Sequence, residues 1–128
     1  MRKINIYTIA VDFDGTCVTH DYPNVGKDIG AQKVLKRLIE NGHKLILFTM
    51  RSEINNIDDA ITWFMDNEIE LYDINKNRTQ YTWTRSPKPH VQIFIDDAGL
   101  GIPLKYDIEL SDRPFVDWDK VEKLQLLM

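Results

Sequence analysis

The chain is 128 residues long, 43% hydrophobic and 28% charged, with a formal net charge of −4. That length suits a single domain over 1–128, because one hydrophobic core typically serves about 100–200 residues. The balance excludes a disordered chain and blanket attraction to nucleic acid, while leaving room for a local basic patch.

Ile6 to Phe13 reads as a first strand, rich in β-branched residues and stopped by the turn signal Asp14-Gly15. A polar loop follows. From Lys27 to Glu40, Ile29, Val34, Leu35, Leu38 and Ile39 recur at helical spacing, and Asn41-Gly42 supplies the stop. Lys44 to Met50 carries the continuous apolar run Leu45-Ile46-Leu47-Phe48, the pattern of a parallel strand covered on both faces. Ser52 is placed to cap a second helix, Glu53 to Asn67, with Ile54, Ile57, Ile61, Phe64 and Met65 as its apolar stripe. A short third strand is expected near Ile69 to Ile74, then an irregular stretch to Pro89. Val91 to Ile95 is a further buried strand, closed by Asp96-Asp97 and a loop marked by Gly99, Gly101 and Pro103. Asp117 to Leu126 reads as a closing helix.

Strands alternating with helices predict a Rossmann-like three-layer α/β/α sandwich built on a parallel sheet. No repeat or linker interrupts it. Cys17 is the sole cysteine, which excludes an intrachain disulfide and points to a reducing compartment. Its simplest role is a small buried hydrophobe. Met1-Arg2-Lys3 and the short alternating run to Ile9 are too polar for a signal-peptide core, and no run approaches the ~18 apolar residues of a membrane span. The expectation is a soluble, cytoplasmic protein without a membrane partner.

In open parallel sheets, ligands bind beyond the carboxyl ends of the strands. Three strand ends carry polar residues there: Asp12-Phe13-Asp14-Gly15-Thr16, Thr49-Met50-Arg51-Ser52 and Asp96-Asp97. Strand alternation sends Asp12 and Asp14 to one side and Val11 and Phe13 into the packing. Crowded carboxylates require a proton or a cation. Every candidate ligand is an oxygen donor and no His or Cys cluster has zinc spacing, so magnesium is favoured, and such a site suits a phosphoryl group. The competing reading of Asp12 and Asp14 as strand-ending cap and turn acid is weaker when the other strand ends carry matching residues.

These residues resemble, in order, the four signature motifs of the haloacid dehalogenase superfamily: Asp12 to Thr16, Thr49, Lys88 and Asp96-Asp97. The stretch Lys88 to Asp97 is especially similar to a small bacterial and phage-type branch of unassigned hydrolases. The resemblance implies a magnesium-dependent phosphomonoester hydrolase that forms an aspartyl-phosphate on Asp12. Asp14 would serve as acid and base, Thr49 would bind phosphoryl oxygens with nearby amides, and Lys88 would neutralise charge. Magnesium would be held by Asp12, the Asp14 carbonyl and an acid of the last motif, with Asp97 favoured as direct ligand and Asp96 as its support.

Lys76, Arg78 and Arg85 lie close enough in sequence to stand in for Lys88. Met50 and Arg51 are further substrate-contact candidates, with a solvated arginine at a helix entrance as the ordinary alternative for Arg51. His20, His43 and His90 fall outside the catalytic set, and Trp63 and Trp118 read as packing residues. Lys76 to His90 mixes Tyr81 and Trp83 with cations, a combination able to stack a base or grip a phosphodiester, set against a plain surface connection packed by its own aromatics.

Neither interval between the motifs has room for a cap domain, so the resemblance implies a capless form. Such forms take large phosphorylated substrates or close their sites through homo-oligomer contacts. The loop Cys17 to Gly26, with His20, Asp21 and Tyr22, is the nearest gate. A nucleotide, a sugar phosphate or a nucleic-acid end are all open as substrates, although the net charge does not indicate nucleic acid. The alternative function is a non-catalytic phosphate-binding or receiver-like module. Chain order argues against it, because a receiver has its acid pair before its phosphoacceptor.

Overall fold

The computed structural model describes residues 5–124. Four strands, β1 (Thr8–Val11), β2 (Lys44–Leu47), β3 (Asp73–Ile74) and β4 (Ile93–Ile95), form a parallel sheet in the order β3-β2-β1-β4. β1 is central, pairing Val11 with Leu47 on one side and with Ile95 on the other. The ladder runs one residue further, through Phe48 N–H to the Val11 carbonyl and Asp12 N–H to the Ile95 carbonyl. The three strand ends therefore finish at one level.

The helices are α1 (Ala31–Glu40), α2 (Ile54–Asp66) and α3 (Trp118–Lys123). α1 begins later than its apolar spacing suggested, because Gly30 takes a left-handed φ of 92° and the chain enters the helix only after it. α2 is not capped by Ser52: its N-cap is Glu53, without a side-chain hydrogen bond. Its expected stripe is also rotated. Ile54 and Met65 are exposed, and Ala60, Trp63 and Phe64 form the buried face. α3 is capped by Asp117, whose side chain accepts from the Lys120 amide. The expected extension of this helix to Leu126 lies outside the described residues, as do Met1 to Ile4.

Alternation along the strands puts Ile9, Val11, Leu45, Leu47 and Ile95 into one core with the apolar faces of α1, α2 and α3. Apolar burial at ~25 cal/mol per Å² drives this packing. The opposite face carries Ala10 and Ile46, also buried, and Phe94. Register partners point the same way, so Asp73 shares the face of Ile46. Its Oδ2 accepts from the Arg78 amide and starts a 3-10 turn, Arg78–Thr82, on that side. This is a single-domain α/β fold with a four-stranded parallel sheet flanked by helices, consistent with the Rossmann-like expectation.

A two-stranded antiparallel unit, β5 (Leu104–Lys105) with β6 (Phe115–Val116), had no signal in the sequence pattern. It has a function in the fold. The Val116 amide donates to the Gly15 carbonyl, and the indole of Trp118 donates to the Thr16 carbonyl at 2.7 Å, so the end of the chain braces the loop after β1. Among the described residues, no helix is long and apolar enough to cross a membrane.

Candidate functional site

β1 delivers Asp12 to the carboxyl edge of the sheet, and neighbouring β4 delivers Asp96 and Asp97. Carboxylate oxygens of these three acids lie within 4.8 Å of one another. Burial, and then the charge of Asp96, push Asp12 up to about 8 from an ordinary 3.8. Among the described residues Asp12 has no Lys or Arg in ion-pair contact to offset this.

Thr16 links the two strands. Its hydroxyl donates to Asp12 Oδ2 at 2.9 Å and accepts from the Asp97 amide at 3.0 Å. The sequence placed Thr16 in the first motif without giving it this bridging part. His20, set aside on sequence grounds, also belongs to the cluster, with Nε2 2.8 Å from Asp97 Oδ2. Gly15 makes that approach possible: its φ is +79°, and a Cβ there would collide with the His20 ring. No sequence spacing marks His20, because the contact depends on how the loop after β1 folds back. The two acids of the last strand also differ in their surroundings. Asp97 faces Thr16 and His20, whereas Asp96 accepts from the Ala98 amide through Oδ1 and makes no side-chain hydrogen bond through Oδ2 among the described residues.

Asp14 is not in the acid triplet. Strand alternation was expected to bring it beside Asp12, but the ladder ends at Asp12 and the chain turns at Gly15, so alternation no longer governs it. Both Asp14 oxygens instead accept from Arg51, Oδ2 from Nε at 2.8 Å and Oδ1 from Nη2 at 2.7 Å. Arg51 is 2% exposed. Its remaining donors reach the carbonyls of Pro23, Asn24 and Asn56, and these hydrogen bonds to Asp14 raise its pKa further. All five guanidinium N–H groups are thus engaged within the chain. Arg51 is neither a substrate contact nor a solvated surface arginine: it ties Asp14 to the Cys17–Gly26 loop and to α2. The loop read as a gate is consequently pinned, with Tyr22 over the guanidinium at 5.0 Å.

At the end of β2, the Thr49 amide donates to Asn75 Oδ1 and its hydroxyl oxygen accepts from the Arg51 amide. Thr49 is half-buried where β2 ends, at the same edge of the sheet as Asp12, whereas the Met50 side chain points to solvent at 98% exposure and lines nothing. Lys88 does not pair with Asp12. It is exposed, with Nζ 5.8 Å from the Phe94 ring centre, and Phe94 packs on Phe48 just before Thr49. Cys17 is fully buried and its thiol is pushed well up by burial and by Asp12 and Asp14, as an inert core sulfur should be. His43 is buried and accepts from the Tyr7 amide, a structural part far from this edge.

A Rossmann-like α/β domain with an oxygen-rich acidic cluster at the strand ends is the class that these observations define. A solved structure of a conserved protein coded by a locus from Bacteroides thetaiotaomicron is similar to this chain at 34% identity and a TM-score of 0.77, covering 94% of this chain and 90% of that one. The chain belongs to the same family as that protein. No family model matches the sequence, and no curated protein matches it significantly.

Proposed function

We propose that the protein is a magnesium-dependent phosphomonoester hydrolase of the haloacid dehalogenase type, with Asp12 as nucleophile. One observation carries this reading: a half-buried carboxylate at the end of the central strand, without a Lys or Arg ion-pair partner among the described residues and gathered with the two acids that close the adjacent strand. A cluster of carboxylate oxygens in which Asp12 and Asp96 have no ion-pair partner among the described residues suits a hard divalent ion. Asp12 and Asp96 would hold the ion, together with the Asp14 carbonyl; Asp97 would join them while anchored by Thr16 and His20. Bound there, the ion would neutralise phosphoryl charge and free Asp12 of its proton.

The chain's own groups supply the rest. An Asp12 oxygen attacks phosphorus as the ester bond to the leaving oxygen breaks, giving an aspartyl-phosphate. Water then attacks that phosphorus, returning Asp12 and releasing inorganic phosphate. Asp14 would serve as acid to the leaving oxygen and as base to the attacking water, and because Arg51 holds both of its oxygens, each transfer requires one of them to be released from the guanidinium. The Thr49 hydroxyl and the Met50 amide are the donors available for phosphoryl oxygens, and Lys88 would have to swing from Phe94 to reach them.

Magnesium-dependent release of an aryl alcohol from a generic aryl phosphate tests the proposal. Asp12→Asn should abolish turnover with the fold retained, and Thr49→Ala should lower kcat by about 10²–10³. Stoichiometric phosphorylation without turnover would favour a receiver-like module instead.

A further inference from the structure

We infer that the segment from Lys76 to Val91 is a recognition platform for single-stranded nucleic acid, and that the substrate of the site is a phosphorylated end of such a strand. This deepens the hydrolase reading and rests on it for the chemistry, but not for the binding. The segment contains Lys76, Arg78, Arg85 and Lys88 and not one Asp or Glu, in a chain whose net charge is −4. All four cations are exposed, and among the described residues none is in an ion pair. Exposed like charges without ion-pair partners make a local positive patch that attracts a polyanion.

The segment is also built rather than slack. Buried Gln80 donates to the Ser86 and Lys88 carbonyls and accepts from the His90 amide at 2.6 Å. Buried Asn77 donates to the His90 carbonyl and accepts from Thr79. On this frame the flat rings of Tyr81 and Trp83 stand 48% and 63% exposed, Trp83 with its ring set perpendicular to that of His90. Rigid exposed aromatics interleaved with cations are the elements of a base-stacking surface, in which each ring takes a base and the cations follow the backbone. An acidic protein partner would match the charges and bury the rings as well, but the alternation of rings and cations along one short segment follows the base–phosphate repeat of a strand, and binding of the oligonucleotide probe decides between the two.

Two clefts flank the frame. One, of about 340 Å³, is lined by Asn75, Lys76 and Tyr81, and Asn75 is the residue that holds the Thr49 amide. The other, of about 250 Å³, is lined by Trp83, Lys88 and His90. The first cleft reaches the phosphoryl end of the site through Asn75, and the second through Lys88, which lies over Phe94, and Phe94, which packs on Phe48 next to Thr49 in the chain.

The test is fluorescence anisotropy with a thymidine decanucleotide carrying fluorescein at its 5′ end and phosphate at its 3′ end, on the full Asp12→Asn chain so that the probe is not consumed. Inorganic polyphosphate serves as competitor. The inference expects Trp83→Ala to weaken probe binding by about tenfold, Trp83→Phe to restore it, and neither change to alter competition by polyphosphate. Joint replacement of Lys76 and Arg85 by Ala should reduce the slope of log K against log salt by about 0.7 per cation removed. Unchanged melting temperatures of these exposed-site variants show that the fold is intact. Absence of probe binding, or binding that Trp83→Ala leaves unaltered, overturns the inference. Aryl phosphate turnover by the wild-type chain is read separately: turnover without oligonucleotide binding removes the platform alone, and oligonucleotide binding without turnover removes the hydrolase reading alone.

Discussion

Arg51 holds both carboxylate oxygens of Asp14, at 2.7 and 2.8 Å, from a position almost wholly out of solvent. The pair is a junction, because the same guanidinium fixes the carbonyls of Pro23, Asn24 and Asn56. Removing it leaves four acceptor groups without their donor. Arg51→Met should therefore destabilise the protein by about 3–5 kcal/mol, the usual cost of breaking a buried pair from one side. Arg51→Lys should recover only part, since an ammonium cannot match the fork geometry. Urea unfolding of the three proteins checks both expectations.

Much of this site was legible because strand ends are marked by chemistry. Buried apolar runs gave β1, β2 and β4, and the acids that close them fell where ligands bind in such sheets. Arg51 was not legible. Its partners lie 37, 28 and 27 residues earlier in the chain and 5 later, so nothing in its local spacing separates a buried junction from a solvated helix entrance. His20 was hidden for the same reason. β5 and β6 have two residues each, too short for any periodicity, although Val116 braces the loop that holds Asp12. Asp14 was misplaced because alternation was extended past the last ladder bond.

Gly15 and His20 give a second prediction. Gly15→Ala must adopt a left-handed φ at a cost of about 1–2 kcal/mol and must also displace His20 from Asp97. His20→Ala removes only the latter contact. Both should weaken magnesium activation by about 10–100-fold, as expected when a carboxylate loses its orienting partner, while Gly15→Ala alone should show a large loss of melting temperature. Magnesium titrations of aryl phosphate turnover, paired with thermal melts, separate the two effects.

The third concerns pH. Asp12 is near 3.8 in the unfolded chain and about 8 in the folded one without a cation. The folded state binds the extra proton between those values, so the contribution is full below pH 4 and is lost as pH rises toward 8, at up to about 1.4 kcal/mol per unit. In EDTA the melting temperature should fall from pH 5 to pH 8 more steeply than in Asp12→Asn. Magnesium should oppose the fall in the wild-type protein at pH 8 and have little effect in the variant. Equal slopes for the two proteins in EDTA would contradict the assignment.

The most direct measurement is acid quenching during turnover of an aryl phosphate, followed by borohydride reduction and peptide mass spectrometry. An acyl phosphate reduces to an alcohol, so the account predicts that Asp12, and no other acid, is converted to homoserine. Sustained magnesium-dependent turnover with Asp12 unmodified and another side chain labelled would contradict it.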